Sequence, residues 1–225
     1  MKASICWAAS FLLASASVAT AQIVGILPDS AVRRFYSEHA SEYAAEGRTM
    51  LSAGPRVSRS GGVLSLHLQN GTTVSYTDTL AEGDSHHRFL YVRYYPAPHL
   101  HVVHHWFYEG GFFIAIHDET GQQEVVPGSP LLAPDARHFV SASFDLEAGY
   151  DPNRIEVWSV APSGLRRQFV LDGGSQWGPE SVRWTGPDSI RFVRTSMNQG
   201  TAATHHAPMW LVRTGSTWKV RSAAR

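Results

Sequence analysis

Four glycines punctuate the chain at similar intervals, each between two runs of alternating apolar residues. VLSLHLQNGTTVSY turns at Gly71, FFIAIHDETGQQEVV at Gly121, IEVWSVAPSGLRRQFV at Gly164 and MWLVRTGSTWKV at Gly215. Each stretch reads as a β-hairpin, because Val, Ile, Phe, Tyr and Trp suit a pleated, half-buried surface and glycine suits the turn. The spacings of 50, 43 and 51 residues are close to the period of a propeller blade. From Val63 onward short apolar runs alternate with Gly, Pro, Asn or Asp, the pattern of an antiparallel all-β domain.

The segments preceding the last two hairpins also align. LLAPDARHFVSAS and VRWTGPDSIRFVRT match with Pro134 on Pro187, Asp135 on Asp188, Phe139 on Phe192 and Val140 on Val193, and Trp158 then falls almost on Trp210. Over about residues 86–221 the chain resembles the TolB-type β-propeller repeat: an apolar strand, a Ser-Pro-Asp-Gly turn, a second strand and a hairpin of two more. The segment Ala133-Pro134-Asp135-Ala136 departs from that turn by lacking its serine and glycine. The turn has its own logic, since proline presets one backbone angle and aspartate bonds back to the following amides. The resemblance implies an all-β fold of about three and a half antiparallel four-stranded propeller-like repeats, the first reduced to the hairpin at 63–77. Closed single-chain propellers typically have four blades or more. An open meander capped by the N-terminal helix, closure with a second copy as a homodimer, and a β-sandwich therefore all remain open.

The N-terminus reads differently. MKASICWAASFLLASASVATAQ has a lysine, a short apolar run and the small-residue pattern Ala19-Thr20-Ala21, so residues 1–21 are expected to be a signal peptide and the mature protein periplasmic or secreted. Its removal takes Lys2 and the only cysteine, Cys6, leaving 204 residues with 18 basic against 19 acidic side chains. That balance gives no reason to expect nucleic acid as a partner, and no segment has the length of a transmembrane span. Residues 29–47 are expected to form a helix that Gly47 stops, and 52–62, SAGPRVSRSGG, to be a linker. The division is thus 1–21 leader, 22–62 N-terminal helix and linker, and 63–225 β-repeat domain.

An up-and-down meander alternates its connections between two rims. One rim receives tight turns. The other receives the long connections: AEGDSHH ending at His87, the segment Asp145 to Asn153, the segment Gly173 to Glu180, and the segment Ser196 to Ala207. Long loops on a rigid scaffold are where binding usually sits. The candidate ligand-binding residues on that rim are Trp177, Asp145, Asp151 and His105, with Trp177 expected to stack on a ligand if it is exposed.

Twelve histidines invite a metal reading. In the stretch HLHVVHHWF, His99 and His101 share one side of a strand while His104 and His105 face opposite sides, so this run does not by itself assemble a site. The loop histidines His86, His87, His205 and His206 are the better candidate ligands, and with a carboxylate they would suit zinc. No HExxH and no Gly-x-Ser-x-Gly occurs. The expectation is an exported, non-enzymatic β-repeat protein without a cofactor, a protein-binding or scaffold module whose partner is another envelope protein. The alternative is a zinc-dependent hydrolase or metal-binding protein using the loop histidines.

Overall fold

The computed structural model describes residues 29–81, 85–197 and 203–222; the expected leader at 1–21 lies outside them. The described chain is all-β after a helical segment at 29–53, and its strands form four consecutive antiparallel sheets, each in sequence order. Sheet 1 holds β1 (Val57–Ser60), β2 (Val63–His67) and β3 (Thr73–Thr77). Sheet 2 holds β4 (His87–Tyr95), β5 (Leu100–Phe107), β6 (Gly110–His117) and β7 (Gln123–Val126). Sheet 3 holds β8 (Leu131–Leu132), β9 (His138–Ser143), β10 (Arg154–Ala161) and β11 (Gly164–Asp172). Sheet 4 holds β12 (Gly178–Gly186), β13 (Ser189–Met197), β14 (Thr204–Thr214) and β15 (Thr217–Ser222).

The four marker glycines occupy equivalent corners. Each lies in the final hairpin of its sheet, and all have positive φ: 83° at Gly71, 74° at Gly121, 115° at Gly164 and 62° at Gly215. This backbone region is strained for side chains with a Cβ, which is why glycine recurs there. In the turn before β9 the Asp135 carboxylate accepts the Arg137 amide at 2.9 Å, as the Pro-Asp pattern leads one to expect.

Each buried cluster joins neighbouring sheets. Leu64, Leu66 and Leu68 of the first unit pack against Tyr91, Val103 and Ile116 of sheet 2. Leu100, Ala115 and Val126 of sheet 2 meet Phe139, Trp158 and Leu165 of sheet 3. Val140, Ile155 and Val157 of sheet 3 meet Ile190, Phe192 and Leu211 of sheet 4. None of the three joins the fourth sheet to the first, so the described residues form an open, propeller-like arc. Its two end faces differ. The outer face of sheet 1 is mainly hydroxylic, with Ser65 bonded to Ser75 at 3.1 Å and His67 to Thr73 at 3.0 Å. That of sheet 4 carries Val193, Pro208 and Trp210, the last lying under the Arg191 guanidinium. Trp210 therefore does not share the inter-sheet burial of Trp158, because one position of strand alternation separates the two.

The N-terminus corrects two expectations. The helical segment breaks at His39 into α1 (Asp29–Glu38) and α2 (Ala40–Ala53), and α2 runs through Gly47 to stop at Gly54, whose φ is 69°. Gly47 costs a helix about 1 kcal/mol relative to alanine, and docking of α2 on β4 outweighs it. The segment 52–62 is not a linker: it contains the end of α2, a 3-10 turn at Gly54–Arg56 and β1. VSRS is too short and polar to announce a strand, yet it pairs in register with β2, Val57 opposite Leu66 and Ser60 opposite Val63.

Buried charges hold α2 in place. Glu46 accepts the Tyr91 amide at 2.7 Å and pairs with Arg59 of β1 at 2.7 Å, while Arg59 also reaches Asp78 at 3.1 Å. Asp78 in turn accepts the Tyr43 hydroxyl at 3.0 Å and the Phe89 amide at 2.8 Å. Among the described residues no helix is long and apolar enough to cross a membrane.

Candidate ligand-binding rim

The alternation of connections holds. The turns at 96–99, 118–122, 133–137, 162–163, 187–188 and 215–216 lie on one rim, while 78–81 with 85–86, 144–153 and 173–177 lie on the other, together with the two-residue β5–β6 turn Tyr108-Glu109. On this second rim β4 begins, β5 ends and β6 begins. The register places His87 opposite Phe107, Arg88 opposite Trp106, Phe89 opposite His105 and Leu90 opposite His104. Alternation then sends Arg88, Leu90, His104 and Trp106 to one face of sheet 2, and His87, Phe89, His105 and Phe107 to the other.

The two faces differ in chemistry. On one, His87 Nδ1 lies 3.0 Å from His105 Nε2, and the His105 ring stacks on Phe89 with centroids 4.2 Å apart. Burial, with the adjacent His87, pushes the His105 imidazole down to about 4. A cavity of about 410 Å³ opens beside the pair, with Tyr108, Phe112 and Tyr150 on its walls. On the other face, His104 stacks on Phe113 at 4.1 Å, and burial together with Arg88 and His105 pushes it down to about 4.

A larger cavity, about 610 Å³, lies at the rim end of this second face. His39, His86, Arg88, Trp106, Phe107 and Tyr108 line it. Arg88 is buried, and its Nη2 pairs with Glu42 of α2 at 2.8 Å. Its Nε and Nη1 have no hydrogen-bond partner. The guanidinium carbon lies 5.5 Å from the Trp106 ring centroid and 6.0 Å from that of Phe35.

The rim also gathers exposed aromatic surface. Among the described residues, four aromatic side chains are strongly exposed: Trp106 at 40%, Tyr108 at 63%, Phe144 at 40% and Tyr150 at 55%. Trp106 and Tyr108 flank the β5–β6 turn, and Phe144 and Tyr150 belong to the β9–β10 connection. The remaining exposed large apolar side chains among the described residues are aliphatic.

The residues singled out in the sequence separate into two groups. His86, His87, His105 and Asp151 all come to this part of the rim. His86 bonds the Ala81 carbonyl through Nδ1 at 3.3 Å and its ring meets Phe35. Asp151 accepts the Gly111 amide at 3.5 Å, and burial raises its carboxyl above the usual range.

The others do something else. Both Asp145 oxygens are taken by its own loop, accepting the amides of Ala148 at 2.9 Å, Tyr150 at 2.7 Å and Asp151 at 3.0 Å. Those bonds, led by that from Asp151, hold its carboxyl below the ordinary carboxylate range. Trp177 is buried, stacked on Phe192 and covered by Arg194, and so presents no free face. An aromatic in a Gly-rich loop looks exposed in sequence, but this loop folds back so that Trp177 fills the interface between sheets 3 and 4.

His205 and His206 are strand residues of β14 rather than loop residues, paired opposite Ser196 and Thr195. Pro208 and the lack of alternation obscure this strand, which exists because β13 extends the ladder. His206 Nδ1 engages Thr195 at 3.0 Å and lies 3.4 Å from Glu180. The four proposed metal ligands are thus split between sheets 2 and 4. Among the described residues no group of three or more His, Cys, Asp or Glu gathers in a way that could hold a metal ion.

The histidine-rich run is placed by packing. His101 is fully buried, bonded to the Tyr91 hydroxyl at 2.9 Å and 3.4 Å from Asp118; burial lowers its imidazole against the pull of that carboxylate. Asp118 also accepts Tyr94, Gln69 and Arg56, tying the first two sheets together. Trp106 lies at the rim end of β5 and is partly exposed. Arg88, Trp106 and Tyr108 were not selected from the sequence. Only the register, with Arg88 facing Trp106, marks them.

No protein-family model matches the sequence, and no curated protein does. Solved structures do match. One, from a study of two prolyl endopeptidases and their inter-domain dynamics, is 12% identical, with a TM-score of 0.34 over 85% of this chain and 26% of that one. The chain spans about a quarter of that protein's length.

Proposed function

We propose that this is an exported, non-enzymatic β-repeat protein of TolB-type architecture, a binding or scaffold module of the bacterial envelope that engages another macromolecule through its long-loop rim. The observation that carries this reading is the confinement of the strongly exposed aromatics, Trp106, Tyr108, Phe144 and Tyr150, to that rim. Aromatic side chains offer large contact area at low conformational cost and are enriched at interfaces. They stand next to two cavities on a scaffold whose strands fix their positions. The leader-like N-terminus supports an exported location.

Site-specific photocrosslinking tests the reading. A photoreactive residue at Tyr108 or Tyr150 should give the same discrete adduct in envelope extract, while one at Pro162 on the opposite rim should not. Equal adducts from both rims, or none from either, would remove the proposal.

A further inference from the structure

The cavity at the rim end of sheet 2 holds a cation that is only partly used. The Arg88 side chain is 7% exposed and has a single ion pair, from Nη2 to the half-exposed Glu42. Its Nε and Nη1 are buried without a partner. A buried guanidinium normally fills its donors, since each one left empty loses the hydrogen bond it made to water. Arg88 lines a cavity of about 610 Å³ together with Trp106, Phe107 and Tyr108, although both empty donors are covered in this conformation. Among the described residues lining that cavity none carries a carboxylate.

From this geometry we infer that the cavity is a binding site for a carboxylate joined to a planar apolar body. The inference rests on the rim being the binding surface and names the chemistry recognised there. The carboxylate would take an Arg88 donor in a charge-assisted hydrogen bond, and the apolar body would lie against the aromatic wall. Arg88 is tethered on one side only, so a turn of the guanidinium toward the cavity uncovers a donor without breaking a second bond. A single guanidinium already shared with Glu42 suits a monoanion better than a phosphate dianion. The residue opposite Arg88 across the ladder, Trp106, is also the natural reporter, because its ring forms part of the wall.

Titration of the full mature chain with phenylacetate, followed by the Trp106 indole resonance, tests the site. Phenylacetate should shift that resonance saturably, and phenylacetamide, which has the same shape but no charge, should bind at least about tenfold more weakly. Arg88→Gln should abolish the difference between acid and amide. Glu42→Gln removes the competing carboxylate and should tighten phenylacetate binding, an outcome that a purely structural Arg88 does not produce. The site is overturned if acid and amide bind alike, or if Glu42→Gln leaves the acid's affinity unchanged. Tighter binding of phenyl phosphate than of phenylacetate overturns the commitment to a carboxylate. A discrete adduct at Tyr108 combined with a silent phenylacetate titration would leave the rim as the contact surface and remove only the carboxylate chemistry.

Discussion

His104 and His105 are neighbours in sequence with different surroundings, yet both are pushed down to about 4, chiefly by burial. In the unfolded chain an imidazole takes a proton near pH 6.5. Between about pH 6.5 and 4 the unfolded chain therefore binds protons that the folded one refuses, and stability falls as the pH falls. Above that window the two groups impose no penalty; below it their share of the loss levels off. The midpoint of thermal unfolding should drop as the buffer is taken from neutral to about pH 4.5, and His105→Phe, which keeps a ring against Phe89, should make the drop shallower. An unchanged slope in the variant would show that His105 is not one of the groups responsible. The opposite orientation of these two histidines is legible in HLHVVHHWF from strand alternation alone. Their partners are not, because which ring meets Phe89 or Phe113 depends on strands 15 to 20 residues away or on the next hairpin. Arg88 was invisible for the same reason: nothing near it in sequence says that its charge would be buried with donors to spare.

At the scale of elements, the hairpins were readable because glycine at a positive-φ corner and alternating apolar flanks are local signals. The N-terminal segment was not, because its stop depends on competition between two glycines. Gly47 sits inside α2 with open space where a Cβ would point, whereas Gly54 adopts a φ of 69°. Gly47→Ala should therefore stabilise the protein by about 0.5–1 kcal/mol. Gly54→Ala should destabilise it by about 1–3 kcal/mol, because φ 69° with ψ −155° is a backbone region essentially confined to glycine. Urea unfolding of the pair checks both signs. The strand β1 escaped detection because VSRS earns its place through Arg59, whose partners Glu46 and Asp78 come from α2 and from the end of the first sheet. Glu46→Ala leaves that guanidinium with one carboxylate fewer and the Tyr91 amide without its acceptor. It should cost about 3 kcal/mol, measured by the same unfolding curves.

For the whole molecule, stability is shared out between neighbours along the arc. Sheets 2 and 3 each have two sheet neighbours, while sheet 4 is held through a single interface. In such an arrangement terminal units open first. Hydrogen exchange should therefore be faster in β14 and β15 than in β5, β9 and β10; uniform protection across all four sheets would mean that the arc unfolds as one unit. The number of sheets and their order were legible from the glycine period, which is a property of the chain alone. Whether the ends meet was not, since closure depends on the angle between successive sheets and no local residue pattern encodes it.

The unlike ends of the arc have a consequence for self-association. A copy approaching head to tail would bring the tryptophan-bearing outer surface of sheet 4 onto the Ser65, Ser75 and Thr73 hydroxyls of another molecule. Those hydroxyls already satisfy one another or neighbouring groups, and stripping water from them returns little. Growth into a filament, the usual hazard of a repeat stack with two open faces, is therefore disfavoured at the starting end, and light scattering at rising concentration should show no indefinite growth.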